Sequence, residues 1–236
     1  MIFLLGFEKI IAEQFSFVKE LQNKENKSAI VMRHKTLSAE IVVLDFVGNG
    51  EVYKSLLAVN HPNLPRIYEV KQDGNRCKVI EEYINGTTVA DILATGLYTV
   101  DGVKEVVKEL CNALSILHSR NIIHRDIKPE NVMIDKNGDV KLIDFDASRI
   151  YKSYQSNDTS FIGTAGFAAP EQYGITQTDA RADIFALGVL MNVMLTGEHP
   201  SKKLHKGKLT KIMEKCINVD PNKRYSSVEE LYKTIL

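Results

Sequence analysis

The sequence lacks the features that mark a chain for export, for a membrane or for a nucleic acid. Its formal net charge is zero, because 30 Lys and Arg balance 30 Asp and Glu, so nothing in the overall charge favours a polyanionic partner. No apolar run approaches the roughly 18 residues of a membrane span. The apolar stretch at 1–7 is short, has no basic flank and is followed by Glu8. We therefore expect residues 1–14 to pack as a strand or helix on the first part of the fold, not to act as a secretory signal.

Cysteine is also scarce. Cys77, Cys111 and Cys216 are odd in number, widely spaced and form no C-x-x-C motif. This pattern indicates free thiols in a reducing compartment, and we predict a cytoplasmic location. A length of 236 residues, with 44% hydrophobic and 25% charged residues, suits one large domain or one bilobal unit.

The first third of the chain is rich in Val, Ile and Phe, which predicts a small antiparallel sheet. A polar break at 22–28 separates its first two strands. The predicted strands are 15–21, 29–34, 40–46, 65–71 and 76–82. Between the third and fourth strands, Val52, Leu56 and Val59 recur at helical spacing, which predicts a short helix over 51–59 that ends before Pro62.

Helical periodicity dominates after residue 88. The predicted helices are 100–119, 179–196, 206–217 and 226–236. Two short strands, 131–135 and 139–143, flank the turn Asn137-Gly138, and a polar loop covers 150–160. Strands first and helices later predict an α+β fold with two parts.

The residues that carry chemistry lie in this second half. Residues 124–131 read His-Arg-Asp-Ile-Lys-Pro-Glu-Asn, and Asp-Phe-Asp follows at 144–146. Two carboxylates and an amide at this spacing suit phosphoryl transfer from a magnesium nucleotide. Asp126 would lie beside the attacking hydroxyl, while Asn131 and Asp144 would offer hard oxygen ligands to Mg²⁺.

This pattern resembles the catalytic loop and metal-binding motif of eukaryotic-type (Hanks-type) Ser/Thr protein kinases. Further motifs of that family follow in the same order, at 163–171, 182–188 and 220–224. The resemblance implies a bilobal protein-kinase-like fold of the α+β class. Its implied parts are a β-rich N-lobe at 1–82 with a shortened helix, a hinge at 83–87, a mainly helical C-lobe at 88–236, a catalytic loop at 124–131 and an activation segment at 144–171.

The resemblance also implies roles for single residues. Asp126 would accept the proton of a Ser or Thr hydroxyl, and Lys128 would meet the transferring phosphate, which argues for Ser/Thr over Tyr specificity. Asn131 and Asp144 would hold Mg²⁺, with ATP as the phosphate donor. Arg125 matches the arginine that can pair with a phosphate on the activation loop.

Other implied roles are structural. Thr164 would bond to Asp126 and Lys128, Asp183 would hold the catalytic-loop backbone, and Glu171 would form a buried ion pair with Arg224. We favour solvated loop residues over regulatory phosphosites for the four hydroxyls of the polar loop. They are Ser153, Ser156, Thr159 and Ser160.

The positions implied for the adenine are apolar or small, as a stacked purine needs. Ala29 and Val42 would lie above it and Met133 below it. Its hydrogen bonds would go to the hinge backbone near Glu82 and Ile84.

The phosphate-binding part of the first half departs from the family pattern. Gln22, Lys24 and Lys27 stand at the three glycine positions of the G-x-G-x-x-G loop, where only glycine lets the backbone approach phosphate closely. Leu44 stands at the lysine of V-A-I-K and cannot pair with phosphate. We therefore expect this chain to grip a nucleotide differently.

Three further positions differ from the family. Val52 stands where the lysine's glutamate partner is expected, and Glu51 is one residue away. Asp146 replaces the glycine of D-F-G. Glu81 falls behind the adenine position, where a carboxylate buried alone would be costly, so we expect a partner cation.

Three functional readings remain open. In an active atypical kinase, Lys27 would replace the missing strand lysine, as in the "with-no-lysine" kinases, with Glu51 or Glu81 as its partner. In a pseudokinase, the fold would serve as a binding or scaffolding module. A kinase-fold enzyme for small molecules, such as an aminoglycoside or choline phosphotransferase, fits less well, because Lys128 and the segment 164–171 indicate protein substrates.

The partners implied are ATP and a protein substrate, with no nucleic acid and no membrane span. A protein partner or a second copy could dock at the short helix 51–59. The phrase Gly-Phe-Ala-Ala-Pro-Glu-Gln-Tyr and the compact length resemble bacterial members of the family, so we expect a bacterial protein without an attached anchor or sensor domain.

Overall fold

The computed structural model describes residues 9–151, 164–174 and 178–236. The chain divides into two compact units. The first extends to His61 and includes Pro65–Ile84, and the second comprises Pro62–Leu64 and Asn85–Leu236. Much of the predicted loop at 150–160, with its four hydroxyl residues, lies outside the described residues.

The first unit is built on one five-stranded antiparallel sheet. Its order is β1-β2-β3-β5-β4, with β1 at Phe15–Lys24, β2 at Lys27–His34, β3 at Glu40–Val47, β4 at Ile67–Asp73 and β5 at Arg76–Glu82. The predicted break at 22–28 was wrong. Gln22 pairs with Ala29 and Lys24 with Lys27, which leaves only Glu25 and Asn26 for the turn. Polar side chains do not end these strands, because β1 is an edge strand with solvent on its outer side.

The sheet is apolar on both faces. One face carries a cluster of four buried residues, Met32, Ile41, Val43 and Ile80, against which Ile11 of the helical stretch 9–14 packs. The opposite face carries another buried set: Ala29, Val31, Val42, Leu44, Phe46 and Val79. Strands that are buried on both faces lose the polar alternation of a half-exposed strand, which is why Ile41–Leu44 is a continuous apolar run.

The helix predicted over 51–59 is shorter in the structure. It spans Glu51–Leu56 and is named α1. It ends early because the amides of Leu57 and Val59 bond to carbonyls only three residues back. Val52, Leu56 and Val59 are buried, as their spacing predicts.

The second unit is mainly helical. Its helices are α2 (Val89–Leu93), α3 (Val100–His118), α4 (Arg181–Thr196), α5 (Thr210–Cys216) and α6 (Val228–Ile235). Thr99 caps α3 by accepting a hydrogen bond from the Gly102 amide, and Ser227 caps α6. The helix predicted at 206–217 begins only at Thr210, because the Thr210 hydroxyl bonds to the backbone of the preceding loop.

Short strands complete the second unit. β6 (Gly86–Thr88), β8 (Val132–Asp135) and β9 (Val140–Leu142) form one sheet, and β7 (Ile122–Ile123) pairs with β10 (Arg149–Ile150). Periodicity found β8 and β9 but missed β6, β7, β10 and α2, which are too short for a repeat to show. Within the described ranges, no helix is both long and apolar enough to cross a bilayer.

Candidate active site

A buried carboxylate on α4 fixes the start of the loop 124–131. Asp183 is fully buried and accepts hydrogen bonds from the amides of His124 (3.0 Å) and Arg125 (2.8 Å). Nε2 of His118 lies 2.8 Å from Asp183 Oδ2, the oxygen that also accepts from the His124 amide. Burial alone would raise the pKa of Asp183, but the hydrogen bonds with His118 and with the Arg125 amide lower the pKa below the ordinary value. The carboxylate therefore stays ionised and holds the loop, as the sequence predicts.

Three polar side chains meet around Asp126. Lys128 Nζ donates to Asp126 Oδ2 at 2.7 Å, and Thr164 Oγ1 donates to Asp126 Oδ1 at 2.7 Å. Lys128 Nζ also lies 2.7 Å from Thr164 Oγ1. Asn131 Nδ2 donates to Asp126 Oδ2 at 2.9 Å. The predicted contact of Thr164 with Asp126 and Lys128 is confirmed.

These bonds set the protonation state of Asp126. Burial pushes its pKa upward, but the hydrogen bonds from Lys128 and Thr164 outweigh burial, and the pKa lies below its ordinary value. Asp126 is therefore a carboxylate at neutral pH. An ionised carboxylate can only accept hydrogen bonds, so it is suited to a hydroxyl proton.

The amide of Asn131 has a defined orientation. Its Nδ2 donates both to Asp126 Oδ2 and to the Asp126 carbonyl, at 2.9 and 2.8 Å, so the NH₂ group must face Asp126. The carbonyl Oδ1 is thereby turned away and has no hydrogen-bond donor among the described residues. Asn131 also accepts a backbone bond from Ile143 at 2.9 Å, which fixes the residue directly before Asp144.

Two residues of this site have unusual backbone conformations. Arg125 has φ of 69° and Asp144 has φ of 66°, in the left-handed region that non-glycine residues rarely adopt. Such conformations persist where surrounding contacts determine them, and they cluster at functional sites. Here Arg125 directly precedes Asp126, and Asp144 directly follows Ile143, whose amide bonds to the Asn131 carbonyl.

A second set of contacts supports the site from the segment after Thr164. Glu171 and Arg224 form the predicted buried ion pair, with two bonds of 2.6 and 2.9 Å. Sequence reasoning missed Gln172. Its Nε2 donates to the Arg125 carbonyl at 2.9 Å and its Oε1 accepts from the Ala169 amide, which ties this segment to the catalytic loop. Its chain neighbours, Glu171 and Tyr173, gave no signal of a buried amide.

Three of the site residues predicted in the first unit, Lys27, Ala29 and Val42, lie on one face of its sheet. Lys27, Ala29 and Val31 alternate along β2, opposite Phe46, Leu44 and Val42 of β3. Ala29, Val42 and Leu44 are nearly buried, and Lys27 is half-buried at the start of β2. Lys27 and Leu44 therefore share one face of the sheet.

The remaining predicted residues lie at the end of β5 and on β8. The Glu82 amide bonds to the Arg66 carbonyl at 2.8 Å, whereas the Ile84 amide has no acceptor among the described residues. Met133 lies on β8, in register with Thr88 and Lys141 in the second unit. Glu81 is half-buried, and the cation expected beside it stays a prediction, as do the lobe boundaries 1–82, 83–87 and 88–236.

Comparison with known proteins agrees with this geometry. Residues 13–210 match the model of the protein kinase domain. The chain belongs to this family, so the predicted α+β, bilobal protein kinase fold is confirmed.

Individual relatives include serine/threonine kinases from distant organisms. PknB of Mycolicibacterium smegmatis is 32% identical over 182 residues, which are 71% of this chain and 29% of that protein. CBL-interacting serine/threonine-protein kinase 12 of Arabidopsis thaliana is 28% identical over 74% of this chain and 40% of its own length. Human ribosomal protein S6 kinase alpha-6 is 32% identical over 83% of this chain and 28% of its own length. The chain thus spans well under half the length of these relatives.

Proposed function

We propose that this chain transfers the γ-phosphate of ATP to Ser or Thr hydroxyls of a protein, as an atypical kinase without the glycine-rich loop and the usual strand lysine. The observation that carries the proposal is a hydrogen-bonded group of four side chains: Asp126, Lys128, Asn131 and Thr164. Its hydrogen bonds orient the Asp126 carboxylate and leave Oδ1 of Asn131 available to a ligand. Kinase relatives at 28–32% identity support it.

Each residue of this group has a distinct task. Asp126, ionised and held by three donors, positions the substrate hydroxyl and takes its proton. Lys128, between Asp126 and Thr164, supplies positive charge where the transferring phosphate gathers negative charge. Thr164 donates to Oδ1 of Asp126 and so holds the orientation of the carboxylate.

The residues fit a magnesium ion. The free Oδ1 of Asn131 and the carboxylate of Asp144 are the hard oxygen donors that Mg²⁺ takes, and Mg²⁺ is commonly bound by one or two carboxylates together with substrate phosphates. When bound, Mg²⁺ would neutralise charge on those phosphates. Asn131 and Asp144 would hold it. The Ile143 amide donates to the Asn131 carbonyl, and this bond keeps the backbone directly before Asp144 beside Asn131.

Each unit offers residues that the nucleotide would use. Ala29, Val42 and Met133 would contact the adenine, and the hinge backbone would bond to it. The Glu82 amide is already engaged, so its carbonyl would serve, together with the open amide of Ile84. Lys27 would supply the second cation for the phosphates; the support is its position on the same sheet face as Leu44.

One observation favours a second function, that of a pseudokinase that binds without turnover. Leu44 has 5% exposure and Val52 has 6%, so apolar packing occupies the two positions where the family places a lysine and its glutamate partner. A protein built this way could keep the fold as a docking module.

Phosphate transfer from radiolabelled ATP to a generic Ser/Thr protein substrate separates the two functions. We expect magnesium-dependent incorporation by the wild-type chain, and a drop of about 10³-fold in Asp126→Asn, which keeps the shape but loses the acceptor charge. Glu130→Gln is the matched control, because Glu130 lies in the same loop and is exposed. Unchanged turnover in Asp126→Asn would end the assignment. No transfer by the folded wild type, at any magnesium concentration, would leave the pseudokinase reading.

A further inference from the structure

A strongly basic loop stands out from a chain of zero net charge. Residues 198–211, which cover the connection from α4 to α5 and the first two residues of α5, contain five lysines and a single glutamate. The lysines are Lys202, Lys203, Lys206, Lys208 and Lys211, and all five are exposed. Concentrated like charge costs free energy unless an opposite charge approaches it.

This charge is scarcely neutralised within the second unit. Lys202 lies 3.7 Å from Glu198, and both side chains are largely exposed. No carboxylate of the described residues lies within salt-bridge distance of Lys203, Lys206, Lys208 or Lys211. By contrast, Lys128, Arg181, Lys215 and Arg224 of the same unit each have a carboxylate partner.

The loop has a fixed backbone. Asn192 on α4 is fully buried, and its Nδ2 donates to the carbonyls of Glu198 (2.7 Å) and Lys203 (2.8 Å). Its Oδ1 accepts from the His205 amide at 2.8 Å. Thr210 Oγ1 bonds to the His205 carbonyl and the Gly207 amide. The lysines therefore project from a preorganised frame, which lowers the entropy cost of binding a partner.

The loop is also joined to the segment beside Asp126. His199 Nδ1 accepts from the Ser201 amide at 3.1 Å, so Nε2 carries the proton and donates to the Gly166 carbonyl at 2.8 Å. Gly166 is two residues from Thr164, which bonds to Asp126. The basic loop thus contacts the segment that forms one side of the acceptor site.

We propose that the loop 198–211 is a substrate-recognition surface for acidic side chains of the protein whose Ser or Thr is phosphorylated. This inference rests on the proposed function and adds to it the substrate class: Ser/Thr sites in an acidic sequence. The link from His199 through Gly166 to Thr164 favours a polypeptide over a nucleic acid, because the same chain must also place its hydroxyl at Asp126.

Three synthetic peptides test the inference, each with one central Ser. One carries three Glu before the Ser, one carries three Glu after it, and the third has Gln at all six positions. We expect the wild-type chain to phosphorylate one of the acidic peptides with a KM about tenfold below that of the Gln peptide at low salt, and the difference to shrink as salt rises. Equal KM values for all three peptides would overturn the inference.

A charge-reversal variant and a matched control locate the surface. Lys203→Glu/Lys206→Glu/Lys208→Glu should raise KM for the preferred acidic peptide about tenfold, with a much smaller change for the Gln peptide. Lys136→Glu/Lys223→Glu/Lys233→Glu makes the same change in net charge at exposed lysines elsewhere in the second unit. An equal rise in both variants would show that only net charge matters and would overturn the inference.

Direct binding keeps this test separate from that of the catalytic proposal. If the wild type phosphorylates no peptide, the proposed kinase activity fails, and fluorescence anisotropy of the labelled acidic peptides then decides. Binding that the loop variant loses and the control variant keeps would support the surface without catalysis. Absence of binding, or tighter binding of a single-stranded RNA oligonucleotide that displaces the peptide, would overturn it.

Discussion

The two units differ in what they bury. The first unit fills its core with aliphatic and aromatic side chains and Cys77, whereas every buried Asn, Gln, Thr, His or charged residue among those described belongs to the second unit. They are Asn63, His124, Arg125, Asn131, Lys141, Glu171, Gln172, Thr178, Asp183, Asn192 and Arg224. Burying polar groups is costly unless each is bonded. The second unit therefore buries and bonds polar groups around Asp126, at a cost in free energy that the first unit avoids.

Ion pairs follow the same division. In the first unit Arg33–Glu40 and Arg76–Asp45 are surface pairs whose arginine side chains are 53% and 61% exposed. In the second unit the Arg224 side chain has no exposure and that of Glu171 has 8%. Surface pairs contribute little to stability, whereas a buried pair is specific in geometry and costly to break.

The largest effect on this comparison is expected from the buried pair. Glu171→Gln leaves the Arg224 guanidinium buried with its charge uncompensated, so we expect a loss of about 3 kcal/mol in the free energy of unfolding. Glu69→Gln in the first unit removes one partner of an exposed pair with Lys71 and should cost less than about 1 kcal/mol.

Urea unfolding of both variants beside the wild type measures the difference. Because the protein has two units, the transition should be followed by two probes, and coincident curves are needed before a single free energy is assigned. Similar losses in the two variants would remove the distinction between the units.

A smaller effect tests whether the first unit has lost its contribution to catalysis. If Lys27 replaces the strand lysine, Lys27→Met should lower kcat/KM by about 10²-fold, which is typical for removal of one charge-stabilising donor. Lys24→Met is the control, because Lys24 is the cross-strand neighbour of Lys27 at the same end of the hairpin.

The outcome decides how unlike the two units are. A loss confined to Lys27→Met would show that the first unit keeps one phosphate contact. The alternative outcome is an unchanged kcat/KM in both variants, measured with saturating and limiting ATP. Among the described residues, the second unit alone would then contribute to catalysis.

The sequence predicted the second unit's site better than the first unit's sheet. The contacts of Thr164 with Asp126 and Lys128 and the role of Asp183 were predicted from the resemblance to protein kinases, whose motifs lie mostly in this unit. The hairpin at 22–28 escaped prediction, because strand pairing depends on neighbouring strands that no local pattern shows.

Other features escaped prediction because they arise only on folding. Gln172 and Asn192 look like ordinary amides in the sequence, yet each bonds to backbone groups distant along the chain or in a following loop. Pro62–Leu64 belongs to the second unit because Asn63 donates to Glu109 and to the Val140 carbonyl. Such anchors become visible only when the two elements are in contact.

The smallest expected effect concerns the cost of one buried group in the second unit. His124 is fully buried, its ring 5.6 Å from that of Phe145 and its Nε2 3.3 Å from the Ile143 carbonyl. Burial disfavours the imidazolium and outweighs the attraction of Asp183, Asp126 and Asp144, so the pKa of His124 is lowered in the folded state.

The sign of its pH dependence follows from that lowering. Below about pH 6.5 the unfolded chain binds a proton at this histidine that the folded chain does not, so His124 lowers stability as pH falls, by at most about 1.4 kcal/mol per pH unit. His124→Phe removes this proton uptake. We therefore expect the loss of unfolding free energy between pH 7 and pH 5.5 to be smaller in the variant than in the wild type, by about 1 kcal/mol. Equal losses in urea titrations at the two pH values would mean that the second unit accommodates a charged His124, and that its buried polar groups cost less than the comparison of the units implies.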